Sequence, residues 1–334
     1  MANARMDPEL LAHLGANPQL LNVPPKPDKE TAEQSRARFG GILSNFINQQ
    51  SPVSPLIVEK RHTIPSFDGA AITVHEFTRA KDAQEQHSIE RDPQPAFLFF
   101  HGGGMISCPV DTVYRPRIAH FALEMGVRAF AVEYRLAPEQ PFPTQPEDCY
   151  AATQWLSHNA ASLRIDPARI GVAGDSAGGN LATVVSLMAR SKQLRPPLAK
   201  QMLIYPMLDD RARERFSELK SARDQSQISF RDDFDQFWNH YLGHGRRGAE
   251  DICPYAAPGR AESLRGLPSA YVEVGALDPF RDETREYATR LARSDVEVEL
   301  HVYAGVSHGF DMAGPKIGIT RNAEENRRRA VQSI

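Results

Sequence analysis

Cysteine is scarce in this chain: Cys108, Cys149 and Cys253 are the only three among 334 residues. An odd number at wide spacing suits reduced thiols better than a disulfide framework. Neither Cys-x-x-Cys nor His-Glu-x-x-His occurs, so the sequence offers no metal-binding spacing and no metal ligand is expected. No apolar stretch is long enough to span a bilayer, which argues against stable membrane insertion. The opening "MANARMDPEL" lacks the apolar core of a signal peptide, so the expected location is intracellular and cytoplasmic. An excess of one charge is lacking too. Lys and Arg total 39 against 42 Asp and Glu, a net charge of −3 that gives nucleic acid nothing to hold. No internal repeat is visible, which removes solenoids and propellers.

Apolar runs of strand length, by contrast, recur at residues 96–100, 128–134, 169–174, 201–206 and 270–275. Runs without polar alternation fit strands buried on both faces of a largely parallel sheet. Segments of helix length lie between them, so the expected fold class is α/β, an open sheet flanked by helices. Upstream, "VEKRHTI" and "AITVHEF" flank "FDGA" and read as an antiparallel pair joined by a turn. Two segments break the alternation. In residues 1–50, Phe39, Ile42, Leu43, Phe46 and Ile47 recur at helical spacing, and in 208–250 so do Phe230, Phe234, Phe237, Trp238 and Tyr241. Both are expected to pack as a helical cap over one end of the sheet, or to serve only as core. Residues 80–94 read as an exposed loop, and the C-terminal "NAEENRRRAVQSI" as a solvated helix whose arginines need no partner.

The chemistry concentrates at four places. Gly174-Asp175-Ser176-Ala177-Gly178 falls where a strand signal ends and a helix signal begins, the context that a G-x-S-x-G nucleophile elbow requires. The turn presents the Ser176 hydroxyl at the sheet edge, with a helix N-terminus behind it that favours negative charge. Neither a dinucleotide fingerprint nor a P-loop is matched, which argues against a phosphate-binding turn. "HGGG" at 101–104 follows another strand signal, and three adjacent glycines carry a large entropic cost. A pre-set anion site explains them: the N–H groups of Gly103 and Gly104, with that of Ala177, suit an oxyanion hole.

The base must follow the serine in this chain order. His240 and His244 belong to the irregular segment, while His301 shares the polar face of a half-exposed strand. His308 lies in the loop beyond that strand, between Gly305 and Gly309, and is the expected base. His101 precedes the glycines and is expected to brace their loop. Among the acids of "YVEVGALDPFRDE", Glu273 sits inside a strand, and Asp282 and Glu283 suit the first turn of the next helix. Asp278, in the loop beyond the strand, is the expected partner that orients His308.

The stretches "HGGG", "YRLAPEQPFPTQPED", "GDSAGGNLA", "LDPFRDE" and "SHGF" run in order from about residue 95 to 312. They resemble the hormone-sensitive-lipase-like (family IV) carboxylesterases of the α/β-hydrolase fold. The resemblance implies a cofactor-free serine hydrolase acting on small-molecule esters of short to medium acyl chains. It also implies a helical cap that shapes the acyl and alcohol pockets, and a structural role for Tyr134, Arg135 and Glu139. The resulting division is a cap segment at 1–50, core at 51–207, a cap insertion at 208–250 and core again at 251–334. "MISCPVDT", after the glycines, departs from the glycine-containing stretch of many members, which bears on pocket shape. The alternatives are an amidase, deacetylase or acyltransferase acting on a specific metabolite, or a non-catalytic receptor on the same scaffold; a homodimer is compatible with each.

Overall fold

A computed structural model describes residues 5–21, 27, 30–47, 53–85, 92–212 and 231–334. Eight strands form one sheet in the order β1-β2-β4-β3-β5-β6-β7-β8. They are β1 (Ile57–Pro65), β2 (Ala71–Arg79), β3 (Gln94–Phe100), β4 (Arg128–Glu133), β5 (Ile165–Asp175), β6 (Lys200–Ile204), β7 (Ser269–Gly275) and β8 (Val298–Tyr303). β1 and β2 make the expected antiparallel pair, with Gly69 in the connecting turn at φ +82°. β2 also runs antiparallel to β4, and every later pairing is parallel. Strands β3 to β6 are almost wholly buried, which is why their sequences show no polar alternation.

The chain runs from β3 outward to β4 and then returns to the other side of β3 for β5. Crevices beyond the carboxyl ends of strands at such a reversal are where open α/β sheets bind ligands. The glycine run leaves β3 at this point, and Ser176 leaves β5.

Helices α1 (Pro8–Ala16) and α2 (Ala32–Ile47) precede the sheet, and α3 (Ala80–Glu85) follows β2. Then come α4 (Arg115–Met125), α5 (Thr144–His158), α6 (Ala177–Ser191), α7 (Arg231–Leu242), α8 (Arg281–Arg293), α9 (Phe310–Ala313) and α10 (Gly318–Gln332). The periodic residues of α2 are all buried, and Phe39 meets Phe237 of α7 edge to face at 4.9 Å. Phe234, Phe237, Trp238 and Tyr241 are buried as well, while Phe230 lies outside the described residues. All three cysteines are free thiols, and burial pushes that of Cys108 up to about 12.

Three expectations are corrected. Residues 80–94 do not start as a loop: β2 runs straight into α3, whose first turn is tied by Arg79 Nε to Asp82 Oδ2 at 2.5 Å; residues 86–91 lie outside the described set. In β8 the faces are reversed. Leu300 and Val302 are 37% and 42% exposed, while Tyr303 accepts a hydrogen bond from Asn326 of α10 at 3.0 Å. His301 stacks on Tyr303 and bonds Glu299 at 2.7 Å, so it is packed rather than solvated. The reversal arises because α10 offers polar partners to this edge strand, and partners outweigh a bare hydrophobicity pattern. Finally, Arg327 of the C-terminal arginine run is buried and pairs with Glu273 and Asp311. Its neighbours Arg328 and Arg329 reach Glu124 and Glu299.

Candidate active site

Ser176 occupies a backbone conformation that side chains rarely adopt, φ +57° and ψ −118°. Such a conformation costs on the order of 1–3 kcal/mol and persists only where its surroundings enforce it. They do so here through the Ser176 N–H, which donates to the Ile204 carbonyl at 2.9 Å, and the Ser176 carbonyl, which accepts from Met207 N–H at 3.0 Å. The flanking glycines are obligatory on steric grounds. A Cβ at Gly174 would strike the Gly178 carbonyl, and one at Gly178 would strike that of Phe100. Helix α6 starts at Ala177, so its first N–H groups have no intrahelical acceptor and face the position next to Ser176.

The glycine run is shaped by its neighbours in the same way. A Cβ on Gly102 would come within 2.6 Å of the Tyr114 hydroxyl. Gly103 stands at φ +110° and Gly104 at φ +65°, where added carbons would meet the Ser107 carbonyl and the Phe237 ring. The Gly103 carbonyl is occupied by the N–H groups of Ile106 and Ser107 at 3.1 and 3.0 Å, and by the Ser107 hydroxyl at 3.1 Å. His101 braces this loop as expected: its Nδ1 bonds the Gly102 carbonyl at 2.7 Å, and its ring stacks on Tyr134 at 4.1 Å. Burial keeps the His101 pKa below the ordinary value, so the ring is neutral.

The fold brings Ser176, His308 and Asp278 together. His308 Nε2 lies 3.0 Å from Ser176 Oγ, and its Nδ1 lies 2.8 Å from Asp278 Oδ2. Asp278 is fully buried, and its second oxygen accepts the Phe280 N–H at 2.8 Å. The imidazole edge is enclosed by Tyr205, Phe280 and Phe234, with ring centres 4.7, 5.1 and 5.7 Å away. Nδ1–H donation to Asp278 leaves Nε2 free to take a proton from the hydroxyl. Of the other acids, Asp282 lies at the surface, whereas Glu283 turns inward to accept the Leu208 N–H at 2.6 Å. Burial and the nearby Asp209 and Asp278 push the Glu283 pKa well up. Glu273 faces Arg327, not His308.

A cavity of about 660 Å³, its mouth included, opens onto Ser176, His308 and Gly103. Its apolar wall comes from α1, α2 and α7, with Leu10, Phe39, Leu43, Phe46 and Phe234 among the lining side chains. Arg36 fastens α2 over the glycine loop, donating to the Ile106 carbonyl at 2.6 Å and the Ala137 carbonyl at 3.1 Å. The same guanidinium pairs with Glu139 at 2.6 Å, which gives Glu139 of "YRLAPE" a structural task.

Behind Ser176 lies a buried chain of charge that the sequence reading missed. Asp175 accepts Arg117 Nε at 2.9 Å, and Arg117 also donates to Asp311 Oδ2 and the Tyr205 hydroxyl, each at 2.9 Å. Arg327 then joins Asp311, at 2.8 Å, to Glu273. Burial pushes the Asp311 pKa up, and Arg117 and Arg327 more than reverse this, leaving it well below the usual carboxylate range. The partners are far apart in sequence, so no local motif marks them; an arginine at helical spacing on an otherwise apolar face was the one available sign.

A family model described as the α/β-hydrolase fold matches residues 97–312. The chain belongs to that family, in agreement with the motif resemblance described above. Carboxylesterase NlhH of Mycobacterium tuberculosis is 38% identical over 224 residues, covering 66% of this chain and 68% of the relative. Among solved structures, a bacterial heroin esterase superposes with a TM-score of 0.81 at 30% identity, covering 100% of this chain and 99% of that one. An esterase from Pyrobaculum calidifontis reaches 0.83 at 29% identity, covering 98% of both chains. No helix among the described residues is long and apolar enough to cross a membrane.

Proposed function

We propose that this chain is a serine carboxylesterase that cleaves esters of short to medium acyl chains through an acyl-enzyme. Its class, carboxylic ester hydrolase, follows from its family and its relatives. The observation that carries the finer reading is the hydrogen-bonded relay Ser176–His308–Asp278, at 3.0 and 2.8 Å, set at the mouth of an apolar cavity. As Ser176 Oγ attacks the ester carbonyl, His308 Nε2 accepts its proton and Asp278 stabilises the imidazolium. The N–H groups of Gly103, Gly104 and Ala177 hold the developing oxyanion, each donor lowering the barrier by roughly 3 kcal/mol. His308 then delivers the proton to the departing alcohol. It next activates the water that releases the acid and frees Ser176.

On this reading the described helices α1, α2 and α7 belong to the cap, and the described parts of 51–207 and 251–334 to the core. The apolar lining favours the acyl chain over water, at roughly 0.8 kcal/mol per methylene buried. A series of p-nitrophenyl esters tests the reading. The expected result is kcat/KM rising about fourfold per methylene over the short chains, then falling once the cavity is filled. A pre-steady-state burst of one p-nitrophenol per chain, absent in Ser176→Ala, is expected with the best ester. Equal hydrolysis by Ser176→Ala would remove this serine from the reaction.

A further inference from the structure

Away from the cavity, His75 is fully buried, yet its Nε2 has no hydrogen-bond partner. The strand register explains what it faces. His75 of β2 stands opposite Arg61 of β1 and Ala131 of β4. Glu59 and Glu133 lie two residues along from those partners, so they share its face of the sheet. The turn 110–114 after the glycine loop brings Asp111 over the same face, where its N–H donates to Glu133 Oε2 at 2.9 Å. One atom each from His75, Asp111 and Glu133 lie within 4.8 Å of one another.

From this arrangement we infer a second site, one that binds a divalent first-row transition-metal ion through His75 Nε2 and the carboxylates of Asp111 and Glu133. His75 Nδ1 meets Glu59 Oε1 at 2.9 Å, and an imidazole held to a carboxylate through one nitrogen presents the other as a metal ligand. Glu59 is fixed in turn by Arg115 Nε at 2.9 Å. A proton on Nε2 would make an ion pair with Glu133 Oε2 at 3.7 Å but no hydrogen bond. At the tetrahedral angle two metal–ligand bonds of about 2.1 Å span about 3.4 Å, so the half-exposed Asp111 side chain has to close by about 1 Å or more to bring the three atoms onto one ion. One nitrogen and two oxygen donors suit Zn²⁺ or Co²⁺, with the remaining positions open to water. No spacing in the sequence announces the site, because its ligands come from β2, the 110–114 turn and β4. Occupancy would pin the turn that carries Tyr114, whose hydroxyl donates to Asp175 beside the nucleophile at 3.2 Å.

Calorimetric titration of the chelator-treated full chain with Zn²⁺ alone tests the inference. The expected result is one ion per chain at this site, with affinity weakened at least tenfold in Asp111→Asn and in Glu133→Gln. Co²⁺ should give a visible d–d band that the same variants lose. Asp111→Asn should hydrolyse p-nitrophenyl esters at the metal-free wild-type rate, which shows that it is folded. No stoichiometric uptake at micromolar Zn²⁺ overturns the inference, and so does uptake that both substitutions leave unchanged.

Discussion

The two sides of Ser176 are built from opposite materials. In front lies a cavity walled by Leu10, Phe39, Leu43, Phe46 and Phe234. Behind lie Asp175, Arg117, Asp311, Arg327 and Glu273, all buried and joined into one chain. The front is apolar, so charge that develops there is poorly screened and fixed N–H donors act at full strength. The back is ionic, and burying ions contributes little net stability even when they are paired. Its value lies in fixing Asp175, the last residue of β5 and the one before Ser176, by its pairing with Arg117. The difference teaches that the apolar face and the ionic backing are separate structures, so each can be broken without the other.

Breaking the reacting group itself has the largest expected effect. Ser176→Ala should lower kcat by roughly 10⁴- to 10⁶-fold with an unchanged thermal midpoint; a loss of under tenfold would point to another nucleophile. Asp278→Asn should lower kcat by roughly 10³- to 10⁴-fold with little change in KM. A change confined to KM would mean that Asp278 does not orient His308.

The back is broken next. Arg117→Met leaves Asp175 and Asp311 facing each other without their shared cation. The loss of stability should be about 3–5 kcal/mol by urea unfolding, and a midpoint shift too small to resolve would show the chain of charge to be ornamental. The pH dependence of the same region has a definite sign. The pKa of Asp311 is lower in the folded chain than in the unfolded one. Its contribution is therefore complete above pH about 4 and decays as the pH falls towards the folded value. Stability measured between neutral and acid pH should fall less steeply in Asp311→Asn, from a lower starting point, than in the wild type. Parallel curves would contradict the assignment.

The front gives the smallest effect. Arg36→Ala removes the fastening of α2 to Ile106, Ala137 and Glu139. Arg36 is partly exposed and its pair with Glu139 is screened, so about 1 kcal/mol is expected. That loss should appear as a severalfold rise in KM with kcat nearly unchanged. A matching fall in kcat would place α2 in the chemical step.

The same contrast decides how much could be read from the sequence. The elbow and the glycine run were legible because glycines gather where the folded chain crowds the backbone: a Cβ would meet the Gly178 carbonyl at Gly174, the Phe100 carbonyl at Gly178 and the Tyr114 hydroxyl at Gly102. The positions of Asp278 and His308, in loops beyond strands and within hydrogen-bond reach of one another, were legible from chain order. The apolar helices α2 and α7 announced themselves by period. The charge chain did not, because Arg117 and Asp311 are 194 residues apart and neither stands in a motif. The reversed faces of β8 escaped for the same reason: what α10 offers to Tyr303 and Glu299 is visible only once the chain has folded. Glu283 was placed correctly in the first turn of α8, but its inward turn towards the N–H of Leu208 was not foreseeable.

The account rests on the Ser176 hydroxyl being activated in place by His308. Reaction with a fluorophosphonate, followed by peptide mass spectrometry, measures this directly. The account predicts one phosphonyl group per chain, on the peptide carrying Ser176, with labelling slowed by orders of magnitude in His308→Ala. A label on any other residue, or equal labelling rates in the two proteins, would contradict it.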